Sequence, residues 1–263
     1  MCRLCEAVDT PRPQEYINTC QRGTRPKSRK VVIMRKVFAI LDIETVTDAR
    51  LAFDVAWIVC DSMGNQLERY NALVGEILDA DFGMELIKRD RFMGNKSDFY
   101  LDAIKNKTIP VRYLEEIKND FDAIGERYNA RVVMCAYNAH FDYTVLNRNA
   151  EIYFGCKFFD DDVETVDILT MALATFCDSR NYVKWCLEKS FITDKGNVRT
   201  NAQTAYAYLS NDVDFVEQHH ALDDCDIESI IYFKTRSYKK KQHKHFANPL
   251  FNCEEWKRVQ ARK

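Results

Sequence analysis

One uninterrupted apolar segment constrains the fold of this chain more than any other feature. Residues 37–43 read VFAILDI, directly after a Met-Arg-Lys triplet. A continuous apolar run of this length is typical of a central β-strand that is covered on both faces. Two carboxylates, Asp42 and Glu44, stand at its end, and on a strand they leave the same face. Such a strand predicts a sheet with layers of helix on both sides.

The segments that follow predict an α/β chain. Residues 52–61 (AFDVAWIVCD) and 66–74 (QLERYNALV) flank a Gly-Asn pair and predict a hairpin. Residues 130–137 (ARVVMCAY) predict another buried strand, and residues 163–169 (VETVDIL) predict a last short one. The expected sheet is therefore mixed, with a three-strand meander plus parallel strands, and helices flank it.

Three stretches between and after these strands predict helices. Residues 84–128 have a helical pattern that Pro110 interrupts. A second helix is expected over residues 139–152, with Asn138 as its N-cap. Most of the sequence from 170 to about 240 has a helical pattern as well.

Charged residues are unevenly distributed along the chain, with basic ends and an acidic middle segment. The formal net charge is −2, but residues 1–36 hold nine Lys and Arg against three acidic residues. Residues 234–263 hold ten against two, so the segment between them carries −16. An acidic body with basic ends is unusual for a nucleic-acid binder unless bound cations neutralise part of the acid while the ends contact phosphates. A solvated acidic surface with two basic tails is the alternative.

Three parts are expected along the chain. Residues 1–33 contain three prolines and many charges, which predicts an irregular basic extension that is dispensable for activity. Residues 34–236 hold every predicted strand and form the expected folded domain. Residues 237–263 form a basic C-terminal tail. Hydrophobic residues make up 46% of the chain, which is enough for a buried core.

The cysteines indicate a reducing compartment. Several of the ten lie inside apolar runs, as Cys60 and Cys135 do, and such positions suit small buried hydrophobes better than disulfides. Cys2, Cys5 and Cys20 begin like a zinc site but offer no obvious fourth ligand nearby. No apolar stretch of the sequence has the length of a signal-peptide core or a membrane span. We therefore expect a cytoplasmic protein.

The carboxylate pair at the end of the first predicted strand indicates a metal site. Two carboxylates on one face, Asp42 and Glu44, are costly to bury unless cations compensate their charge. Ligands that are all oxygen favour Mg²⁺ or Mn²⁺ over Zn²⁺.

Two later blocks carry the remaining candidate groups. Asp142, in YNAHFD, lies in the first turn of the second predicted helix, where the helix dipole also favours a carboxylate. In HHALDD, His219 stands five residues before Asp224, at the start of an apolar helical pattern. His220 leads to Cys225 instead, so we expect it to be a structural neighbour.

Together the three blocks resemble the three motifs of the DEDDh 3′→5′ exonuclease superfamily, a two-metal nuclease family. The resemblance covers about residues 37–235, and all five catalytic positions of the family are filled. It implies a ribonuclease H-like fold, as in the proofreading exonuclease subunit of bacterial replicative polymerase and in stand-alone phage exonucleases. It also implies that four carboxylates hold two Mg²⁺ or Mn²⁺ ions: Asp42, Glu44, Asp142 and Asp224.

The resemblance assigns roles to further residues. His219 would act as the general base that takes a proton from the attacking water. Thr45, Asn138 and Phe141 would contact the substrate at its 3′ end. The glycine that often follows this threonine in the family is replaced by Val46.

The function implied is that of a metal-dependent 3′→5′ exodeoxyribonuclease that releases nucleoside 5′-monophosphates. Its partner would be a nucleic acid with a free 3′ end, with single-stranded DNA favoured over RNA. Two alternatives share this chemistry: an RNA 3′ exonuclease resembling oligoribonuclease and ribonuclease T, and a proofreading module bound to a polymerase or other replication protein. A non-catalytic nucleic-acid-binding protein on the same fold is a third alternative, although none of the five catalytic positions is degenerate.

Overall fold

The computed structural model describes residues 35–46, 50–80, 85 and 96–238. The predicted N-terminal extension, and the C-terminal tail beyond residue 238, lie outside these residues, so the three-part division of the chain stays a prediction. Among the residues described, no helix is both long and apolar enough to cross a membrane.

A six-stranded mixed sheet forms the centre of the described chain. Its strand order is β4-β3-β2-β1-β5-β6. Strands β1, β2 and β3 form an antiparallel meander, while β5 pairs parallel to β1 and β6 parallel to β5. The predicted ribonuclease H-like sheet, a meander plus parallel strands, is thereby confirmed. The strands are β1 Lys36–Val46, β2 Leu51–Cys60, β3 Gln66–Val74, β4 Val111–Arg112, β5 Arg131–Ala136 and β6 Glu164–Asp167.

Helices flank this sheet, as the sequence pattern predicts. The α-helices are α1 Gly75–Leu78, α2 Lys96–Asn106, α3 Leu114–Asp122, α4 Ile124–Tyr128, α5 His140–Phe154, α6 Ile168–Ala172, α7 Arg180–Glu188, α8 Ala202–Ser210 and α9 Ala221–Arg236. A short π-helix, Leu173–Cys177, continues α6.

Two local predictions differ from the structure, and one short strand was not predicted. Ala139, not Asn138, is the N-cap of α5, because Asn138 has a left-handed backbone (φ +69°) that turns the chain into the helix. The last strand ends at Asp167 rather than at residue 169, because the Asp167 carboxylate accepts the Leu169 and Thr170 N–H groups and starts α6. The short strand β4 was not predicted, since two residues carry no periodicity.

The first strand is buried on both faces, and its side chains alternate between two cores. Ala39 and Leu41 belong to a cluster with residues of α3 and α5. Phe38 and Ile40 belong to a second cluster, which includes Ile227 of α9. Since residues two apart on a strand share a face, the carboxylates that continue the second series lie on the side of α9.

Candidate active site

The end of strand β1 presents two acidic side chains to α9. Asp42 and Glu44 continue the face of Phe38 and Ile40 and are partly accessible to solvent. The pairing of β1 with β2 shifts register directly after Glu44, between Glu44 and Thr45. Both carboxylates therefore lie on the regularly paired part of β1, before the shift in its pairing with β2.

Helix α9 and the residue pair before it supply the histidine and a third carboxylate. Asp224 lies in the first turn of α9 and is 6% exposed. His219 precedes the N-cap His220, and its Nδ1 lies 4.0 Å from Asp224 Oδ2. One ligand atom each from Glu44, His219 and Asp224 lies within 4.8 Å of the other two. Residues 175 positions apart in sequence thus meet at one point.

The fourth predicted carboxylate reaches the site from α5. Asp142 lies in the first turn of that helix and is 3% exposed. Burial raises its pKa well above the ordinary value, and the charges of Asp167 and Glu44 raise it further. Backbone N–H groups, including that of Ile43, oppose the rise by hydrogen bonding to the carboxylate. Asp142 therefore lies against the end of β1, in electrostatic contact with its acidic pair.

Mutual repulsion and burial dominate the electrostatics of this cluster. Burial raises the pKa of Asp42 well above its usual range, and its acidic neighbours Asp142, Asp224 and Glu44 add to the effect. Burial, followed by nearby acids, raises the pKa of Asp224 to about 8, and burial raises that of Glu44 to about 7. Close-packed carboxylates of this kind favour bound cations over charge burial. The donor set, all carboxylate oxygen apart from one histidine, fits Mg²⁺ or Mn²⁺.

Sequence reasoning missed two further acids at the site. Glu228 is 3% exposed, and its Oε2 accepts the Tyr137 N–H at 3.1 Å. Its charge raises the pKa of Asp42 more than any other acid does. Glu217 Oε2 lies 3.8 Å from His219 Nδ1. A signal for Glu228 was present, because it follows Asp224 by one helical turn and interrupts an apolar face.

A single lysine from α2 also reaches the cluster and was not predicted. Lys96 Nζ lies 3.1 Å from Glu44 Oε1, and both side chains are 17% exposed. The lysine lowers the pKa of Glu44 and so works against the effect of burial. It is a partial counter-charge for the acidic group.

The three predicted substrate contacts lie at the end of β1, in the turn after β5 and in the first turn of α5. Thr45 follows the register shift of β1 and is half-buried. The Asn138 N–H donates to Asp167 Oδ1 at 3.2 Å, which fixes the turn before α5. Phe141 is half-buried, with the Arg50 guanidinium 5.5 Å from its ring centroid. Their roles toward a substrate stay predictions.

The chain is similar to several solved nuclease structures. Exonuclease X, in complex with 5′ overhanging duplex DNA, is 13% identical, with a TM-score of 0.41 over 81% of this chain and 98% of that one. Escherichia coli exonuclease I, in complex with a dA16 oligonucleotide, is 16% identical, with a TM-score of 0.47 over 78% of this chain. Cell-death related nuclease 4 is 10% identical, with a TM-score of 0.45 over 76% of this chain and 63% of that one.

These neighbours are nucleases. This chain spans only 41% of the length of exonuclease I. No protein-family model matches the chain, and no curated protein matches it either.

Proposed function

We propose that this chain is a metal-dependent 3′→5′ exonuclease that releases nucleoside 5′-monophosphates. The observation that carries the proposal is the convergence of four carboxylates and one half-exposed histidine from β1, α5 and the start of α9. The carboxylates come from segments about 100 and 80 residues apart, so their meeting is not a consequence of local sequence.

The four predicted ligands fit a site for two divalent cations. Asp42, Glu44, Asp142 and Asp224 would hold Mg²⁺ or Mn²⁺, because each lies in the same mutually repelling acidic cluster. When bound, such ions stabilise the negative charge that develops on a scissile phosphate.

His219 is suited to receive the proton of the attacking water. Its side chain is 51% exposed, so a substrate and a water molecule can reach it. Burial, Lys96 and His220 all lower its pKa. The neutral imidazole is therefore the main form at pH 7, and that form accepts a proton.

Single-stranded DNA with a free 3′ end is the substrate we propose. Thr45, Asn138 and Phe141 would contact the terminal nucleotide, and the aromatic ring of Phe141 offers a surface for base stacking. The matching RNA is the comparison substrate, because a 2′-hydroxyl is what distinguishes the two at such a site.

The direct test is digestion of 5′-labelled single-stranded DNA and the matching RNA by the purified full chain with Mg²⁺ or Mn²⁺. We expect a ladder that shortens from the 3′ end, with DNA degraded faster. Asp142→Asn should abolish the ladder, because it removes a metal carboxylate while preserving its shape. His219→Ala should lower the rate by about 10²–10⁴-fold.

A matched control is Glu151→Gln, an exposed acid on the same helix as Asp142, which should digest at the wild-type rate. Equal digestion by Asp142→Asn and wild type would contradict the proposed metal site. Faster loss of RNA than DNA would reassign the substrate and keep the chemistry.

A further inference from the structure

Helix α2 presents one face to the site. Lys96, Phe99 and Tyr100 are spaced i, i+3 and i+4 and so lie on the same side of the helix. Lys96 reaches Glu44, as described above. The Tyr100 hydroxyl donates to Asp54 Oδ2 at 2.8 Å. The Phe99 ring stacks on the ring of His220, with 3.6 Å between the ring centroids and 13° between their planes.

The backbone of His219 needs support. Its φ of +56° lies in the left-handed region, which costs free energy for a residue with a Cβ. Such a conformation persists only where neighbouring contacts enforce it. The candidate base therefore depends on whatever fixes the chain on either side of it.

Contacts to α2 and β2 fix the chain directly after His219. The His220 ring is stacked on Phe99, and its Nδ1 pairs with Asp223 Oδ2 at 2.9 Å. The next residue, Ala221, donates its N–H to Asp54 Oδ2 at 3.3 Å, the oxygen that Tyr100 also holds. Two residues of α2 thus act on the two residues that follow the histidine.

We propose that Phe99 is a positioning residue for His219 and acts through the ring of His220. The inference rests on the proposed function of His219 as a general base. A second role for an exposed aromatic, stacking on a substrate base, is disfavoured because His220 already covers one face of the Phe99 ring. Phe99 is 41% exposed, so its truncation should not unfold the chain.

The first test compares Phe99→Ala and Phe99→Tyr in single-stranded DNA digestion. We expect Phe99→Ala to lower kcat by about 10- to 100-fold with KM little changed, because a misplaced base costs rate rather than binding. Phe99→Tyr keeps the stacking ring and should restore the wild-type kcat. Tyr113→Ala, which truncates another exposed aromatic (51% exposed) outside this contact, is the matched control and should match wild type.

A double variant that combines Phe99→Ala with His219→Ala distinguishes a positioning role of Phe99 from a role in substrate binding. If Phe99 acts through His219, the Phe99→Ala effect should disappear in His219→Ala, because the two losses are not additive. A Phe99→Ala loss that persists in full in that background, or that appears in KM, would overturn the inference.

A spectroscopic readout tests the same inference without relying on activity. The chain has five histidines, so the ring resonances of His219 can be assigned from the spectrum of His219→Ala in the full chain. Phe99→Ala should shift the His219 ring resonances, whereas Tyr113→Ala should leave them in place. An unmoved His219 signal would overturn the positioning role. If the wild-type chain does not digest nucleic acid but Phe99→Ala still shifts the His219 resonances, the proposed function is contradicted and the positioning contact is not.

Discussion

At the scale of single residues, the described part of the site combines an excess of acid with one partial counter-charge, Lys96. Lys96 is held 3.1 Å from Glu44 inside the acidic group. A divalent cation that binds Glu44 would lie close to the ammonium group, and like charges in a partly buried setting repel. Lys96 and the cation are therefore competitors for the same carboxylate.

Removing this lysine should strengthen metal binding. We expect Lys96→Met to bind Mn²⁺ about 10-fold more tightly, roughly 1.4 kcal/mol, because the competing charge is gone while the apolar stem is kept. Isothermal titration of the metal-free full chain measures this directly. Lys105→Met, an exposed lysine on the same helix, should bind Mn²⁺ as wild type does. Unchanged or weaker binding by Lys96→Met would show that the lysine does not compete.

At the scale of elements, α9 contacts both strands that lead to the other carboxylates, β1 and β5. Asp224 and Glu228 stand one turn apart on it and both face the acids of β1. Glu228 also accepts the N–H of Tyr137, at the end of β5, where the chain turns toward Asp142. The Glu228 side chain therefore connects α9 to the end of β5, from which the chain leads to Asp142.

Substitutions of Glu228 should separate its charge from its hydrogen bond. Glu228→Gln keeps an oxygen acceptor and removes one repelling charge, so the metal-free protein should be at least as stable as wild type at pH 8. Glu228→Leu leaves the buried Tyr137 N–H unpaired and should lower the free energy of unfolding by about 1–3 kcal/mol. Denaturant unfolding in EDTA measures both. Equal stability of the two variants would contradict the hydrogen-bonding role.

At the scale of the whole molecule, the acidic cluster couples stability to pH and to metal. Asp224 and Glu44 have pKa values raised to about 8 and about 7, well above those of unfolded carboxyls. The folded chain therefore binds more protons than the unfolded chain between about pH 4 and 8, and stability falls as pH rises through this window. His219, with a lowered pKa, has the opposite sign, but it is one half-exposed group against several buried acids.

Metal-free protein should accordingly be less stable at pH 8 than at pH 5.5, by an amount on the order of a few kcal/mol. Mn²⁺ should restore more stability at pH 8, where the carboxylates are ionised and free to bind it. Thermal unfolding in EDTA and in excess Mn²⁺ at both pH values measures this. In Asp224→Asn the pH dependence should shrink. A Tm in EDTA that does not change with pH would contradict the raised pKa values.

Much of the fold was predictable because strand signals are local. The apolar run that became β1, the hairpin of β2 and β3, and the buried strand β5 each carry their pattern in consecutive residues. Boundaries were less predictable, as the end of β6 shows, because a side chain of the strand itself caps the next helix. The five predicted catalytic residues were found from motif spacing, and their roles stay predictions.

The sequence by itself determined the order of five of the six strands and indicated the carboxylates proposed to bind a divalent metal, since periodicity and side-chain chemistry are properties of the chain. Only the tertiary structure decided which other groups join them. Lys96, Glu217 and Glu228 lie far from the first carboxylate pair in sequence, and Phe99 meets His220 across more than 100 residues. These contacts depend on how α2 and α9 pack against the sheet, and a packing contact leaves no periodic signal in either segment.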